Sequence, residues 1–253
     1  MTILVGVLCG DGSVVIGSDS SATLSDGRNN TIEQPVKKIE VIGGKVIMAG
    51  TGAVGLGQRF SYQVDNAWKN NQFRGHYTDV GKALCAAGVK DFSSTNASKG
   101  EYGALMAFPV EKKPYLCEFS LKDFQPEFKT HDIWYVAMGC GQQIVDPFLG
   151  LMRKVFCPDG PPDTYGEGLF ITLWALQQAI ELNAGGINGP IQIAVLKKDS
   201  GELQARLYDP NDLKEHEQAV SDAEAHLRSY KDKLKGDPAG FPAGIPTVPS
   251  VPV

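Results

Sequence analysis

Three residues in the first forty carry chemistry that their neighbours cannot supply. Thr2 directly follows Met1, and threonine is small enough for methionine aminopeptidase to expose it, leaving an α-amine beside a hydroxyl. Asp19 lies just past a second β-branched run, and Lys38 interrupts the apolar stretch Val36 to Ile42. Taken singly, each has an ordinary reading: many proteins begin Met-Thr, and a strand lysine usually snorkels to the surface. A fourth feature, Gly50-Thr51-Gly52-Ala53-Val54-Gly55, matches the G-x-G-x-x-G pattern between a strand and a helix. A dinucleotide site also needs a second parallel strand ending in an acidic residue about 20 residues on. Here that stretch is the polar Asn70 to His76, so close backbone packing accounts for the glycines better. The four histidines and five cysteines are scattered, with no HExxH or CxxC spacing, and neither a metal nor a cofactor is expected.

The elements that must position these residues are legible from periodicity. Ile3–Leu8 and Val14–Ile16 are β-branched runs around the turn Cys9-Gly10-Asp11-Gly12-Ser13, a hairpin signal. Val36–Ile42 and Lys45–Met48 form a second hairpin at Gly43-Gly44, across a polar stretch from Ser18 to Gln34. Helical spacing predicts Val54–Lys69 and Thr78–Phe92, the latter with Thr78 as N-cap. Strands follow at Gly103–Pro109, Pro114–Phe119, Gln125–Lys129 and Ile133–Met138. Helices Gln142–Phe156 and Tyr165–Leu182, strands Ile191–Lys197 and Leu203–Tyr208, and a charged helix from Asp212 to Lys235 complete the order. This is not the βαβα alternation of a parallel sheet. It predicts an α+β fold, a four-layer αββα sandwich with two antiparallel sheets between helix pairs. Residues 1–235 read as one domain, and the Pro-rich 236–253 as an extended or disordered tail.

Composition narrows the function classes. A formal net charge of −5 argues against nucleic acid or an anionic membrane surface as partner. No window approaches the ~18 apolar residues of a membrane span, and the first residues lack a basic, signal-like region. An odd number of unpaired, dispersed cysteines fits a reducing, cytoplasmic setting.

Together the motifs resemble a known family. Thr2-Ile3-Leu4-Val5-Gly6-Val7, Val14-Val15-Ile16-Gly17-Ser18-Asp19, Ala22-Thr23, Val36-Lys37-Lys38-Ile39 and Ile47-Met48-Ala49-Gly50 resemble the opening of a proteasome β-subunit and of bacterial proteasome-like N-terminal nucleophile hydrolases. The resemblance is most specific over residues 2–55. It continues loosely through Val136 to Gln142 and Ile191 to Val195. One extra residue near Ser13 is needed to register both Thr2 and Asp19; without it Ile3 would stand at the nucleophile position. The family fold is the same αββα sandwich.

The resemblance implies a threonine-type endopeptidase. Thr2 would be the nucleophile, Lys38 and Asp19 its charged support, and the Gly50 N–H the oxyanion donor, with Thr23 and Gly50 backbone groups holding the substrate as an added strand. Two positions depart from the family: Cys140 stands for a serine in the G-S-G turn, and Asn183 for an aspartate, with no serine after it. Ala22, Val36, Met48 and Gly52 correspond to the first specificity pocket. All are uncharged, which implies cleavage after bulky apolar residues; Glu40, just outside, reads as a strand-face charge pointing to water, and turned inward it would admit a basic residue. The partners implied are a ring of identical subunits, a peptide or unfolded-protein substrate and an ATP-dependent unfoldase. The same residues also fit a non-catalytic ring subunit or peptide-binding scaffold, or an amidase of the superfamily acting on a small molecule.

Overall fold

Alternate residues of the central strands are buried on opposite faces, which requires packing on both sides of each sheet. In a computed structural model describing residues 2–24, 32–95, 97, 100–182 and 186–235, β1 (Ile3–Leu8) and β2 (Val14–Ser18) form an antiparallel hairpin. They sit in a five-stranded sheet of order β10-β1-β2-β11-β12, with β10 (Tyr135–Gly139), β11 (Gln192–Asp199) and β12 (Glu202–Leu207). The second sheet is β5-β6-β7-β8-β9, made of β5 (Ile39–Ile42), β6 (Val46–Gly52), β7 (Tyr102–Val110), β8 (Lys113–Phe119) and β9 (Pro126–Phe128). All its pairings are antiparallel, so the glycine run at 50–55 is not in a βαβ unit.

Three apolar clusters join these parts. Leu4, Ile16, Ile47, Leu105 and Leu116 belong to one drawn from both sheets. Ile3, Val5 and Val15 point the other way, into a cluster with α3 (Gln142–Phe156) and α4 (Tyr165–Leu182). Met48, Met106 and Phe108 pack with α1 (Val54–Lys69) and α2 (Tyr77–Ser93). The last helix, α5 (Lys214–Lys235), follows a short 3-10 turn at Pro210–Leu213 and lies against α4. No described helix is long and apolar enough to cross a membrane.

Several expected boundaries shift for local reasons. Residues 36–38 leave the strand, so β5 starts only at Ile39, while β6 continues through Gly50 to Gly52. The stretch read as a polar connection holds two short strands, β3 (Ser21–Leu24) and β4 (Ile32–Pro35), paired to each other. Their polar residues gave no apolar alternation to detect. α2 begins one residue earlier than predicted, with His76 at its N-cap and no side-chain cap; Thr78 lies inside the helix, 2.6 Å from the His76 Nδ1. Ile133 is exposed and precedes β10 rather than opening it. Asn183 and the tail from residue 236 lie outside the described residues.

Gly17 shows how tightly α4 rides on β2. A β-carbon there would stand 2.6 Å from both the Leu176 and Thr172 side chains. Gly17→Ala is therefore expected to cost about 1–3 kcal/mol by overpacking, read as a lower denaturant midpoint at unchanged slope.

Candidate active site

Strand register brings the N-terminus and Asp19 together. Leu4 pairs with Ser18, so Ile3 lies beside Asp19 at the open end of the hairpin. In the turn at the other end of the hairpin the Cys9 N–H donates to the Ser13 carbonyl, and Asp11 accepts from the Ser13 N–H at 2.8 Å. Asp19 is fully buried. Its Oδ1 accepts from the Ile3 N–H at 3.0 Å and its Oδ2 from the Ser21 N–H at 3.0 Å. Both carboxylate oxygens are thus engaged, the condition under which a buried charge is tolerated.

Lys38 reaches this point because the chain leaves the sheet just before β5. Its side chain, 8% exposed, donates to Asp19 Oδ1 at 2.7 Å and to Thr2 Oγ1 at 3.1 Å. Burial pushes the Lys38 ammonium below the ordinary lysine range, and the Asp19 hydrogen bond and charge hold it partly up. The backbone behind it is held by Gln192, whose Oε1 accepts from the Lys38 N–H at 3.0 Å while its Nε2 donates to the Val36 carbonyl at 2.7 Å. The same Nε2 donates to Ser20 Oγ at 2.6 Å. Sequence reasoning saw in Gln192 only one position of a strand. Its role depends on a partner 154 residues away, and no local pattern signals that.

Cys140 sits against the same threonine. The Thr2 N–H donates to Cys140 Sγ at 3.3 Å, and the thiol donates back to the Thr2 carbonyl at 3.4 Å. Gly139 makes the approach possible: at φ +99° its missing β-carbon would lie 2.3 Å from the Thr2 carbonyl oxygen. Cys140 is exposed, whereas the other four cysteines are buried.

Beside Thr2 opens a cavity of about 270 Å³. All four predicted pocket residues, Ala22, Val36, Met48 and Gly52, line it, and so does Gly50. Thr23 is placed through its backbone, in register with Glu33. The β5–β6 ladder ends at Ile39 opposite Ala49, so Gly50 to Gly52 extend past the end of β5 next to the cavity. Glu40 is exposed, as a strand-face charge should be, but it pairs with Met48 and also lines the cavity, where Ser61 Oγ on α1 donates to its carboxylate. Tyr102, unmentioned by any motif, also lines the cavity. A larger hollow of about 520 Å³, among the turns that hold Lys45, Lys112 and Ser200, lies away from Thr2. Among the described residues no cluster of His, Cys, Asp and Glu could hold a metal.

Removing Asp19 would deprive the buried Lys38 ammonium of its counter-charge. Asp19→Ala is expected to cost about 3–5 kcal/mol, measured by chemical denaturation, with a smaller loss for Asp19→Asn, which keeps one acceptor oxygen.

Comparison with solved structures finds the Gly-1 mutant of Anbu from Hyphomicrobium sp. strain MC1, with a TM-score of 0.67 at 14% identity. The alignment covers 93% of this chain and 100% of that one. At this identity the likeness shows a shared fold. No family model matches the sequence, and no curated protein does.

Proposed function

We propose that this chain is a threonine-type endopeptidase of the N-terminal nucleophile kind. The observation that carries the reading is the Lys38 ammonium, which bridges the Thr2 hydroxyl and the buried Asp19 beside an open cavity. The fold shared with Anbu supports it, and the three apolar clusters support the four-layer arrangement.

Thr2 becomes a nucleophile with its own base once Met1 is removed. Its Oγ attacks the substrate carbonyl carbon, and the hydroxyl proton passes to the α-amine, whose unperturbed pKa of about 7.7–8 suits the task. The Lys38 charge lowers that pKa further and stabilises the developing alkoxide. The Gly50 N–H takes the oxyanion. Collapse of the tetrahedral intermediate returns the proton to the leaving amine and leaves an ester on Thr2, which water hydrolyses. The edge of β6 beyond Ala49 and the backbone at Thr23 receive the substrate as an added strand. Cys140, standing where the family carries the serine of its G-S-G turn, contacts the Thr2 nitrogen as a weaker hydrogen-bonding group. In the cavity, Ala22, Val36, Met48 and Gly52 favour a bulky, largely apolar side chain before the scissile bond. Exposed Leu151, Val155 and Phe156 on α3 support assembly into a ring of identical subunits.

Thr2→Ala should abolish hydrolysis of fluorogenic peptides, and Lys38→Ala should lower kcat/KM by several orders of magnitude. Near-normal turnover in Lys38→Ala would sink the mechanism. The pH profile should be bell-shaped. Activity rises as the α-amine loses its proton below about pH 8, and falls as Lys38 loses its own. Because burial depresses Lys38, that fall should begin below pH 10.5. Intact mass spectrometry should show Met1 removed in active protein. For assembly, a monomeric elution profile at micromolar concentration would count against the ring.

A further inference from the structure

The cavity beside Thr2 is not uniformly apolar. Tyr102 opens β7 opposite Gly52, so its ring lies on the face of the second sheet that α1 covers. There it fits between two glycines. A β-carbon on Gly50 would stand 2.6 Å from the phenol oxygen, and one on Gly57 would stand 3.0 Å from the ring. Tyr102 is 5% exposed, and its hydroxyl is buried with no hydrogen-bond partner among the described residues. A buried hydroxyl left unpaired costs on the order of 1–3 kcal/mol. Burial, with the nearby Glu40 charge, raises its pKa, so the phenol stays protonated and able to donate.

Glu40 supplies a second unspent group on the wall of the same cavity. Ser61 donates to one carboxylate oxygen, and an ionised carboxylate has about four acceptor sites. The charges around the cavity do not favour a cation. Lys38 is neutralised by Asp19 behind it, and Lys37 shares the cavity lining with Glu40. What remains is a hydrogen-bonding end, with the Glu40 charge offset by Lys37 on the same lining, beside an apolar part formed by Ala22, Val36, Met48 and Val54. Met48, unbranched and flexible, can shift to let a side-chain tip reach that end.

We propose that Glu40 and Tyr102 select the tip of the side chain before the scissile bond, so that tyrosine is taken in preference to phenylalanine. This deepens the peptidase reading and rests on it. The ring of either residue fills the apolar part equally. Only tyrosine carries a hydroxyl that can donate to a Glu40 acceptor site that Ser61 leaves open and accept from Tyr102, and the phenylalanine complex leaves the Tyr102 hydroxyl unpaired.

The test uses fluorogenic peptides that differ only in a final Tyr, Phe or Arg. The wild-type chain should show kcat/KM roughly tenfold higher for Tyr than for Phe, the scale of one charge-assisted hydrogen bond. Tyr102→Phe and Glu40→Leu should each bring that ratio toward one. The thermal midpoint of Tyr102→Phe should equal or exceed that of the wild type, because no partner is lost. Equilibrium binding of acetylated peptides ending in Tyr or Phe to the Thr2→Ala protein separates the two levels of the argument. A Tyr preference in binding without any wild-type hydrolysis would uphold the selectivity and defeat the peptidase reading. Thr2-dependent hydrolysis with a Tyr-to-Phe ratio near or below one, with Arg fastest, or with a ratio unmoved by both variants would overturn the selectivity and leave the peptidase reading standing.

Discussion

The buried contact between Lys38 and Asp19 sets the terms for everything around Thr2. Taking two charges out of water costs several kcal/mol per ion, recovered only if geometry is good and the remaining polar sites are filled. Here each Asp19 oxygen accepts a backbone N–H, while Lys38 donates to both Asp19 and the Thr2 hydroxyl. Removing Asp19 or Lys38 would leave the other a buried charge without its counter-charge. The hairpin end, the segment entering β5 and Thr2 are consequently held in one geometry.

That geometry relies on breaking the second sheet at the right place. Were Lys38 still part of β5, it would pair with the residue after Ala49 and occupy the edge beside Gly50. Gln192 captures the backbone from Val36 to Ile39 instead. One side-chain amide therefore turns the lysine toward Thr2 and leaves the β6 edge past the end of the β5 ladder. Delivering the charge and opening the cleft are a single structural event.

Glycines provide the close approaches that the rest demands. Gly139 lets the Cys140 turn lie against the Thr2 carbonyl, and Gly50 makes room for the Tyr102 ring. Two glycines of the run that matches the dinucleotide pattern, Gly50 and Gly52, are thus explained by steric need, while a β-carbon on Gly55 would meet open space. At Gly52, where φ is +105°, a β-carbon would collide with the Glu101 carbonyl.

Most of the α+β architecture was legible in the sequence, because period-two burial and period-3.6 stripes are local signals. The bounds predicted for α1, α3 and α4 match the observed ones. Thr2, Asp19 and Lys38 were also singled out, through residue types at intervals that resemble one family. What the sequence could not show is whatever depends on which residues meet across the fold. β3 and β4 are short and polar, and each is defined by its partner. Glu40 reads as a solvent-facing strand charge until its register opposite Met48 puts it on the cavity wall. Gln192 and Tyr102 carry no motif, since one acts on a segment 154 residues away and the other matters through an unpaired hydroxyl against a distant strand. Periodicity is written along the chain. Register, and the desolvation that makes a lysine or a phenol matter, arise only when distant strands close on one another.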